Sequence, residues 1–366
     1  MTVISCRLLY QSASPHLQQL YTGFCLLHRS GFLRLTQQPR RTAIRYEYDE
    51  PHLNDAGHAH LNVVVEGRLR LHFDTHDAQE LALGELDECD FYFKRSYLPE
   101  VVAALPGQHR AKVLPLGLNY RVLPDVPDVF AVRRGLSVSG FSRGSLSVIK
   151  QAFDVHNRFG FQPRLSQMEA PPEPTADPNV LFLVAAYDPY DDPARSQDKI
   201  NDRLAINEMR AGCLKLLKDE LGPRFKGGFS RSAFTQQHYP ELIAAAEATS
   251  QENYLRTLKS FPICVASTGL HGSTGWKLAE YVALSKAVLS ERLVYDLPGR
   301  FARGQNFIEF TSPEECVSGA VRLIEEPALR RQIMQNNWAY YRDYLRPDVL
   351  VKNAITRALG LKAEQG

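Results

Sequence analysis

The sequence lacks the features that would place a protein across a membrane or on nucleic acid. No apolar run approaches the roughly 18 to 20 residues that span a bilayer, and the start, MTVISCRLLYQSA, lacks the basic stretch and the long apolar stretch of a signal peptide. The formal net charge is only +2, which is too small to attract nucleic acid over a distance. We therefore expect a cytoplasmic protein without a nucleic-acid partner.

Cysteine is sparse, and its spacing argues against a zinc site. None of the six cysteines belongs to a CxxC pair, and most lie in apolar segments, as buried thiols do in a reducing compartment. The six are Cys6, Cys25, Cys89, Cys213, Cys264 and Cys316. Three histidines, His52, His58 and His60, share one polar segment, but no second cluster accompanies them. We expect neither a bound metal nor a cofactor.

The length and one proline-rich segment predict two domains. A chain of 366 residues exceeds what one hydrophobic core usually organises. The segment 168–178, MEAPPEPTADP, is unsuited to a helix or a central strand, so we predict that it links the domains. An N-terminal domain would then cover 1–167, and a C-terminal domain would cover 179–345.

Both halves alternate strand-like and helical patterns, which predicts the α/β class. In the N-terminal half, the predicted strands are 3–10, 32–35, 61–65, 69–73, 91–93 and 113–116, with a helical face over 17–24. In the C-terminal half, the apolar run 179–186 is typical of a parallel strand that is buried on both faces. Further strands are predicted near Phe225 and at 261–266, 287–290 and 307–310, and one intervening helix has Met209, Cys213, Leu216 and Leu217 on one face. Such alternation favours a doubly wound parallel sheet.

A glycine-containing loop follows the predicted strand 261–266. It reads STGLHGSTG over 267–275 and leads directly into a helix that begins at Trp276. Backbone N–H groups at such a helix start can bind an anion such as a diphosphate, and Lys277 adds a positive charge. Glu280, one turn further, could accept hydrogen bonds from two vicinal hydroxyls such as those of a ribose. The alternative is a connecting loop before a capped helix, with Lys277 and Glu280 solvated.

Two arginines and one polar loop are further candidates. Arg231 and Arg203 could each contact a phosphate, or each could be a surface arginine paired with an acid. Asp74, His76 and Asp77 follow the strand that begins near Arg68, and one of them could deprotonate an acceptor hydroxyl. The alternative for the two aspartates is a role in forming the turn.

The stretch from Cys264 to Phe310 resembles the donor-binding half of bacterial GT-B glycosyltransferases of the group 1 kind. The resemblance rests on the glycine loop, the helix with Glu280, the small strand KAVLS over 286–290 and the GQNFIEF segment over 304–310. Similarity extends over about 179–359.

The resemblance implies two Rossmann-like domains that face each other across a cleft, with 346–366 forming a helix that crosses back to the N-terminal domain. It places Glu280 on the ribose of a nucleotide-sugar donor, and Lys277 with the loop residues His271, Gly272, Ser273 and Thr274 near the phosphates. It also implies metal-independent transfer to a carbohydrate or glycolipid acceptor in surface polysaccharide, lipopolysaccharide or glycoconjugate synthesis, with peripheral contact at the inner face of the membrane.

Several alternatives stay open at this point. Retaining members of the family carry an acidic residue eight positions before the glutamate, where this chain has Gly272, so the stereochemistry is undecided. An epimerase that acts on a nucleotide sugar would share the architecture, and a binding module without activity would share the nucleotide site. A redox enzyme is disfavoured because no GxGxxG motif follows the first strand of either domain.

Overall fold

The computed structural model describes residues 3–40, 59–139, 150, 152–156, 162–173, 175–245 and 251–365. The chain forms two compact units. The first comprises Met1–Gln167, Tyr295–Gly299 and Arg342–Gly366, and the second comprises Met168–Val294 and Arg300–Tyr341. Of the three clustered histidines, His52 and His58 lie outside the described residues.

The first unit contains a mixed sheet of six strands. Its strands are β1 (Ile4–Tyr10), β2 (Leu33–Pro39), β3 (His60–Val65), β4 (Leu69–Asp74), β5 (Phe91–Lys94) and β6 (Val113–Pro115). Its helices are α1 (Gln18–Arg29), α2 (Leu83–Glu88), α3 (Pro99–Ala103), α4 (Gly107–Arg110) and α5 (Val129–Ser139). The short helix α6 (Leu165–Met168) follows at its end.

One strand of this sheet runs against the others. The order is β2-β1-β3-β4-β5-β6, and β3 is antiparallel to both of its neighbours, while the other pairs are parallel. The chain between β3 and β4 is too short for a crossover helix, which parallel strands need, so the two strands form a hairpin. Its turn places Glu66 and Gly67 at φ 50° and 69°. The predicted α/β class is confirmed, but this sheet is mixed rather than wholly parallel.

The last helix, α13 (Pro347–Gln365), completes the core of the first unit. Its residues Leu350, Val351, Ala354, Ile355 and Ala358 are buried among side chains of α1 and the sheet. The backbones approach so closely that a Cβ on Gly23 would come within 2.2 Å of the Pro347 carbonyl oxygen.

The second unit contains five strands, all parallel, in the order β11-β10-β9-β7-β8. They are β7 (Val180–Val184), β8 (Phe225–Phe229), β9 (Ile263–Ala266), β10 (Ala287–Glu291) and β11 (Phe307–Phe310). Its helices are α7 (Gln197–Leu221), α8 (Ala233–His238), α9 (Gln251–Ser260), α10 (Trp276–Ala283), α11 (Pro313–Glu325) and α12 (Pro327–Tyr340). Each predicted strand of both halves is present, and the predicted parallel sheet of the C-terminal half is confirmed.

All six cysteines are free and buried, as predicted. Within the described ranges, no group of three or more His, Cys, Asp or Glu side chains is arranged to hold a metal ion. None of the helices in those ranges is long and apolar enough to cross a membrane.

Candidate functional site

The glycine loop lies at the carboxyl edge of the second sheet, directly after β9, where ligands bind in open parallel sheets. The loop closes on itself, because the N–H of Gly269 donates to Ser273 O at 2.8 Å and the N–H of Ser273 donates to Leu270 O at 3.1 Å. His271 and Gly272 both adopt left-handed backbone conformations, with φ 60° and 66°. A Cβ at Gly272 would come within 2.9 Å of Val294 Cγ2. Both the left-handed backbone and the lack of space therefore favour glycine at this position.

The side chains of the loop differ in exposure. His271 is exposed, whereas Ser273 and Thr274 are buried. Thr274 forms an antiparallel bridge with Thr268 across the loop. Because the side chains of Ser273 and Thr274 are buried, these two loop residues would contact a ligand through their backbone more readily than through their side chains.

Helix α10 begins without a side-chain cap. Its N-cap is Gly275, which has no side chain to accept a hydrogen bond from the first turn. The N–H groups of a first turn lack partners within the helix, and the helix dipole makes this end positive. An anion is the natural partner for such an end.

Glu280, Lys277 and Tyr254 form one cluster at this place, which we call the Glu280 cluster. The hydroxyl of Tyr254, on α9, donates to Glu280 Oε2 at 2.7 Å. The Lys277 ammonium lies 4.4 Å from the centroid of the Tyr254 ring, within the range of a cation–π contact. All three residues are partly exposed, although their polar groups are largely buried. Glu280 and Lys277 are therefore brought together, and Tyr254 is a member that the sequence did not indicate.

The pKa values of the cluster are shifted toward the neutral forms. Burial raises the pKa of Glu280, although Lys277 and the Tyr254 hydrogen bond oppose this. Burial lowers the pKa of Lys277, although Glu280 opposes this. Burial and the neighbouring Glu280 hold the pKa of Tyr254 well above its usual range. A carboxyl with a raised pKa beside a loop at a strand end is typical of a functional site.

Two buried side chains on α7 fix the loops around this cluster. Arg210 donates to Ser267 Oγ at 3.0 Å and to the carbonyls of Ala185 and Thr268, both at 2.7 Å. Asn207 bonds both backbone groups of Tyr187, accepting at 2.9 Å and donating at 2.6 Å. These contacts join the segment after β7 to the loop after β9.

Arg210 and Asn207 were not predicted, because the inner face of α7 was inferred from its apolar residues alone. The buried face of the helix begins with Arg203, Asn207 and Arg210 and continues with Cys213, Leu214 and Leu217. Met209 and Leu216, which we predicted to share the inner face, are partly exposed. The sequence did contain a signal for this polar part of the buried face, because Arg203, Asn207 and Arg210 recur at helical spacing before the apolar residues.

The two candidate arginines have different environments. Arg203 is 8% exposed and donates to Lys199 O at 3.1 Å, with no carboxylate within ion-pair distance among the described residues. Arg231 follows β8, is exposed, and has no ion pair in the same part of the chain. Among the described residues, neither arginine forms the ion pair with an acid that the alternative assumed.

In the first unit, six polar side chains form one face of three neighbouring strands, and we call this set the polar ladder. Register places His60 opposite Asp74, Asn62 opposite His72, His72 beside Tyr92 and Asp74 beside Lys94. All six except Asn62 are buried, and the intervening apolar residues of these strands belong to the core on the other face.

Asp74 is the best-paired member of the polar ladder. Its carboxylate lies 2.9 Å from Lys94 Nζ and accepts from the Tyr92 hydroxyl at 2.5 Å and from the His76 N–H at 2.9 Å. Burial acts to raise the pKa of Asp74, but Lys94, His60, His76 and Tyr92 together hold it well below its usual range. Burial holds the pKa of His60 well below its usual range, although Asp74 opposes this.

The far end of the polar ladder is tied to Glu85 on α2. His72 Nδ1 is 2.5 Å from Asn62 Oδ1, and Asn62 Nδ2 donates to Glu85 Oε2 at 2.8 Å. Arg40 donates to both oxygens of Glu85, at 2.6 and 2.7 Å. Burial acts to raise the pKa of Glu85, but the bonds from His72, Arg40 and Asn62 hold it well below its usual range.

The three candidate bases of the first unit therefore differ in burial and in their hydrogen-bond or ion-pair partners. Asp74 is fully buried, whereas Asp77 is partly exposed and forms an ion pair with Arg95. His76 Nδ1 accepts the Ala78 N–H at 3.1 Å, which places the proton of the neutral ring on Nε2.

No model of a protein family matches this sequence, and no curated protein is significantly similar to it. Solved structures resemble it at low identity. The C-terminal domain of LpcC, a glycosyl transferase group 1 family protein from Francisella tularensis, is 12% identical, with 49% of this chain and 95% of that chain covered and a TM-score of 0.33. WaaG, a glycosyltransferase involved in lipopolysaccharide biosynthesis, is 10% identical over 94% of this chain and 96% of that chain, with a TM-score of 0.40.

The UDP-GlcNAc 2-epimerase from Neisseria meningitidis, bound to UDP-GlcNAc, is 13% identical over 92% of this chain and 72% of that chain, with a TM-score of 0.38. The similar structures thus include glycosyltransferases and an epimerase. At TM-scores this low, they assign neither a substrate nor a reaction to this chain.

Proposed function

We propose that this protein is a glycosyltransferase whose second unit binds a nucleoside diphosphate sugar at the Glu280 cluster. The observation that carries the proposal is the position of Glu280, which lies one turn into the uncapped helix after the glycine loop. Glu280 is a partly exposed residue, and its carboxylate accepts one side-chain hydrogen bond among the described residues, from Tyr254. It therefore has acceptor capacity left for the two hydroxyls of a ribose.

Positive groups fit a diphosphate at the Glu280 cluster. The start of α10 and Lys277 supply a helix terminus and an ammonium. Arg203, on helix α7, is buried without a carboxylate partner in the described chain, and we propose it as a further contact of the diphosphate. A guanidinium in that state favours an anionic ligand, because an unpaired buried charge is costly. Arg231, exposed after β8, would contact the outer phosphate.

Transfer to a hydroxyl is the reaction that the sequence resemblance supports, with a carbohydrate or glycolipid as acceptor and surface polysaccharide or lipopolysaccharide synthesis as the setting. For the base we favour Asp77, whose carboxylate reaches solvent beside Arg95. The other two candidates fit less well, because Asp74 is fully buried and His76 Nδ1 already accepts the Ala78 N–H.

Nucleotide binding tests the site first. Isothermal titration with UDP, GDP, ADP and CDP, each compared with its 2′-deoxy analogue, should reveal one ribonucleoside diphosphate that binds more tightly than its analogue. The preference should disappear in Glu280→Ala, because that variant no longer accepts from the ribose. Glu252→Ala is the matched control, since Glu252 is an exposed residue of α9 that pairs with Arg256. A ribose preference that survives in Glu280→Ala would contradict the proposed site.

The reaction is tested with the matching nucleotide sugar, incubated with and without a mixture of carbohydrate acceptors. Sugar transfer that requires an acceptor supports the proposal. Conversion of the nucleotide sugar without an acceptor would identify an epimerase instead, and binding without any turnover would identify a binding module.

A further inference from the structure

Tyr254 and Glu280 come from different helices and meet through a single short hydrogen bond. The tyrosine lies in the first turn of α9, and its hydroxyl donates to Glu280 Oε2 at 2.7 Å. The bond occupies one carboxylate oxygen, and no described side chain bonds the other. The carboxylate is consequently fixed in rotation about its terminal torsion, which is otherwise broad for a glutamate.

The tyrosine ring is itself held in place. Lys277, on the same helix as Glu280, places its ammonium 4.4 Å from the ring centroid. The lysine contacts the ring, and the hydroxyl of the ring contacts the carboxylate, so the two charged groups of helix α10 both contact Tyr254. The buried Tyr281 interacts with the same tyrosine. The hydroxyl is the only link from α9 to the carboxylate that the described residues provide.

We propose that Tyr254 is a positioning residue for the nucleotide: its hydroxyl holds Glu280 Oε2 so that Oε1 faces the ribose hydroxyls. This inference rests on the proposed function for the identity of the ligand. A preformed acceptor raises affinity because the carboxylate does not lose rotational freedom on binding.

The electrostatics of the cluster give this role a measurable signature. Lys277 on the same helix and Tyr254 on α9 act on the pKa of Glu280, and the buried Tyr281, next in the chain, interacts with both Glu280 and Tyr254. Burial raises the pKa of Glu280, whereas the Tyr254 hydrogen bond lowers it. Removing the hydroxyl should therefore raise the pKa of Glu280 further, so that the carboxylate is lost at a higher pH.

The test uses Tyr254→Phe, which removes the hydroxyl and keeps the ring beneath Lys277. Carbon-13 NMR of glutamate carboxyls in the ligand-free protein, with Glu280→Gln to assign the signal, should show an upward shift of the Glu280 pKa. With the ribonucleoside diphosphate selected above, affinity at a pH well above that pKa should fall about threefold to tenfold, the range of one hydrogen bond. The pH below which affinity is lost should move upward by the same amount as the pKa.

Tyr97→Phe, in the first unit, is the matched control and should change neither quantity. If Tyr254→Phe leaves the Glu280 pKa and the nucleotide affinity unchanged, the proposal is wrong. A lower melting temperature with an unchanged Glu280 pKa would equally overturn it, because that result indicates a packing role. If the pKa shifts but Glu280→Ala binds nucleotides normally, Tyr254 does orient Glu280 and the proposed nucleotide site is the part that fails.

Discussion

The two units each carry a cluster of charged side chains, and the clusters differ in how completely their groups are paired. In the polar ladder, Asp74 is fully buried and is bonded by Lys94, Tyr92 and a backbone N–H, and its pKa lies well below the usual range. In the Glu280 cluster, Glu280 is a partly exposed residue whose carboxylate has one side-chain donor among the described residues, and burial raises its pKa.

Burial acts on both carboxyls in the same direction, and the number of partners decides the outcome. A saturated carboxylate has no capacity for a ligand, so its contribution is to the stability of the sheet. An incompletely paired one keeps capacity to accept further hydrogen bonds. The comparison therefore predicts that mutations in the polar ladder change stability and that mutations in the Glu280 cluster change affinity.

The largest expected effect comes from Lys94→Ala. This variant leaves the Asp74 charge buried without its ion-pair partner, which typically costs about 3 to 5 kcal/mol in the free energy of unfolding. Lys362 offers a matched control, because its ammonium also lies 2.9 Å from a carboxylate, that of Asp90, but at 56% and 27% side-chain exposure. Lys362→Ala should cost about 0 to 1 kcal/mol. Urea denaturation followed by circular dichroism measures both.

If both lysine variants lose the same free energy of unfolding, burial of the Lys94–Asp74 ion pair does not determine its contribution to stability. Both tryptophans of the chain, Trp276 and Trp338, lie in the second unit. Tryptophan fluorescence recorded in the same titrations therefore shows whether the damage is confined to the first unit.

The next largest effect concerns Glu280→Ala, which removes a charged acceptor worth about 1.5 to 3 kcal/mol of nucleotide binding. Nucleotide affinity should fall by roughly one to two orders of magnitude, while the melting temperature changes little. Glu280→Gln, which keeps the shape of the side chain, should fall between this variant and the wild type. Titration calorimetry alongside thermal melts would reveal a structural Glu280 by parallel losses of affinity and stability.

A smaller effect is expected from acidification. Because burial lowers the pKa of His60, the folded protein resists protonation of a group that the unfolded chain protonates below about pH 6.5. The unfolded state then binds more protons, so stability falls as pH drops through this range, by up to about 1.4 kcal/mol per pH unit, and no such loss occurs above it. Asp74 and Glu85, whose pKa values are lowered, lose their contributions only below about pH 4.

His60→Gln should therefore flatten the dependence of unfolding free energy on pH between about pH 7 and pH 5. Urea titrations at several pH values measure the slope. A slope that is the same in the variant and the wild type would exclude His60 as its source.

The smallest effect is expected from metal removal. In the proposed site, Lys277, Arg203 and the start of α10 would supply the positive charge that a diphosphate needs, so we expect EDTA to leave the transfer rate unchanged. Complete loss of activity in EDTA, restored by manganese or magnesium, would show that the second unit needs a cation.

The sequence predicted the strands of both units because each is a short apolar run bounded by polar turns. It also predicted the place of Glu280, since the glycine loop and the helix start are contiguous in the chain. Tyr254 was beyond its reach, because the two residues are 26 positions apart and the contact depends on how α9 packs against α10.

Part of the polar ladder could be predicted from the sequence. His60 and Asn62, and likewise His72 and Asp74, alternate with apolar residues at the spacing of a strand face. Their assembly depends on β3 turning back against β4, and the short turn at Glu66 and Gly67 was the signal for that hairpin. Asp74 was therefore assigned from its strand end alone, without the partners that bury it.

The position of α13 has a consequence for synthesis of the protein. The core around β1 and α1 includes Leu350, Val351, Ala354, Ile355 and Ala358 of α13, which is translated after the whole second unit, Met168–Val294 with Arg300–Tyr341. Until α13 has been translated, the nascent first unit exposes the apolar surface that these residues cover. An expression product that stops after Gln167 should consequently aggregate, because its core lacks the side chains of α13.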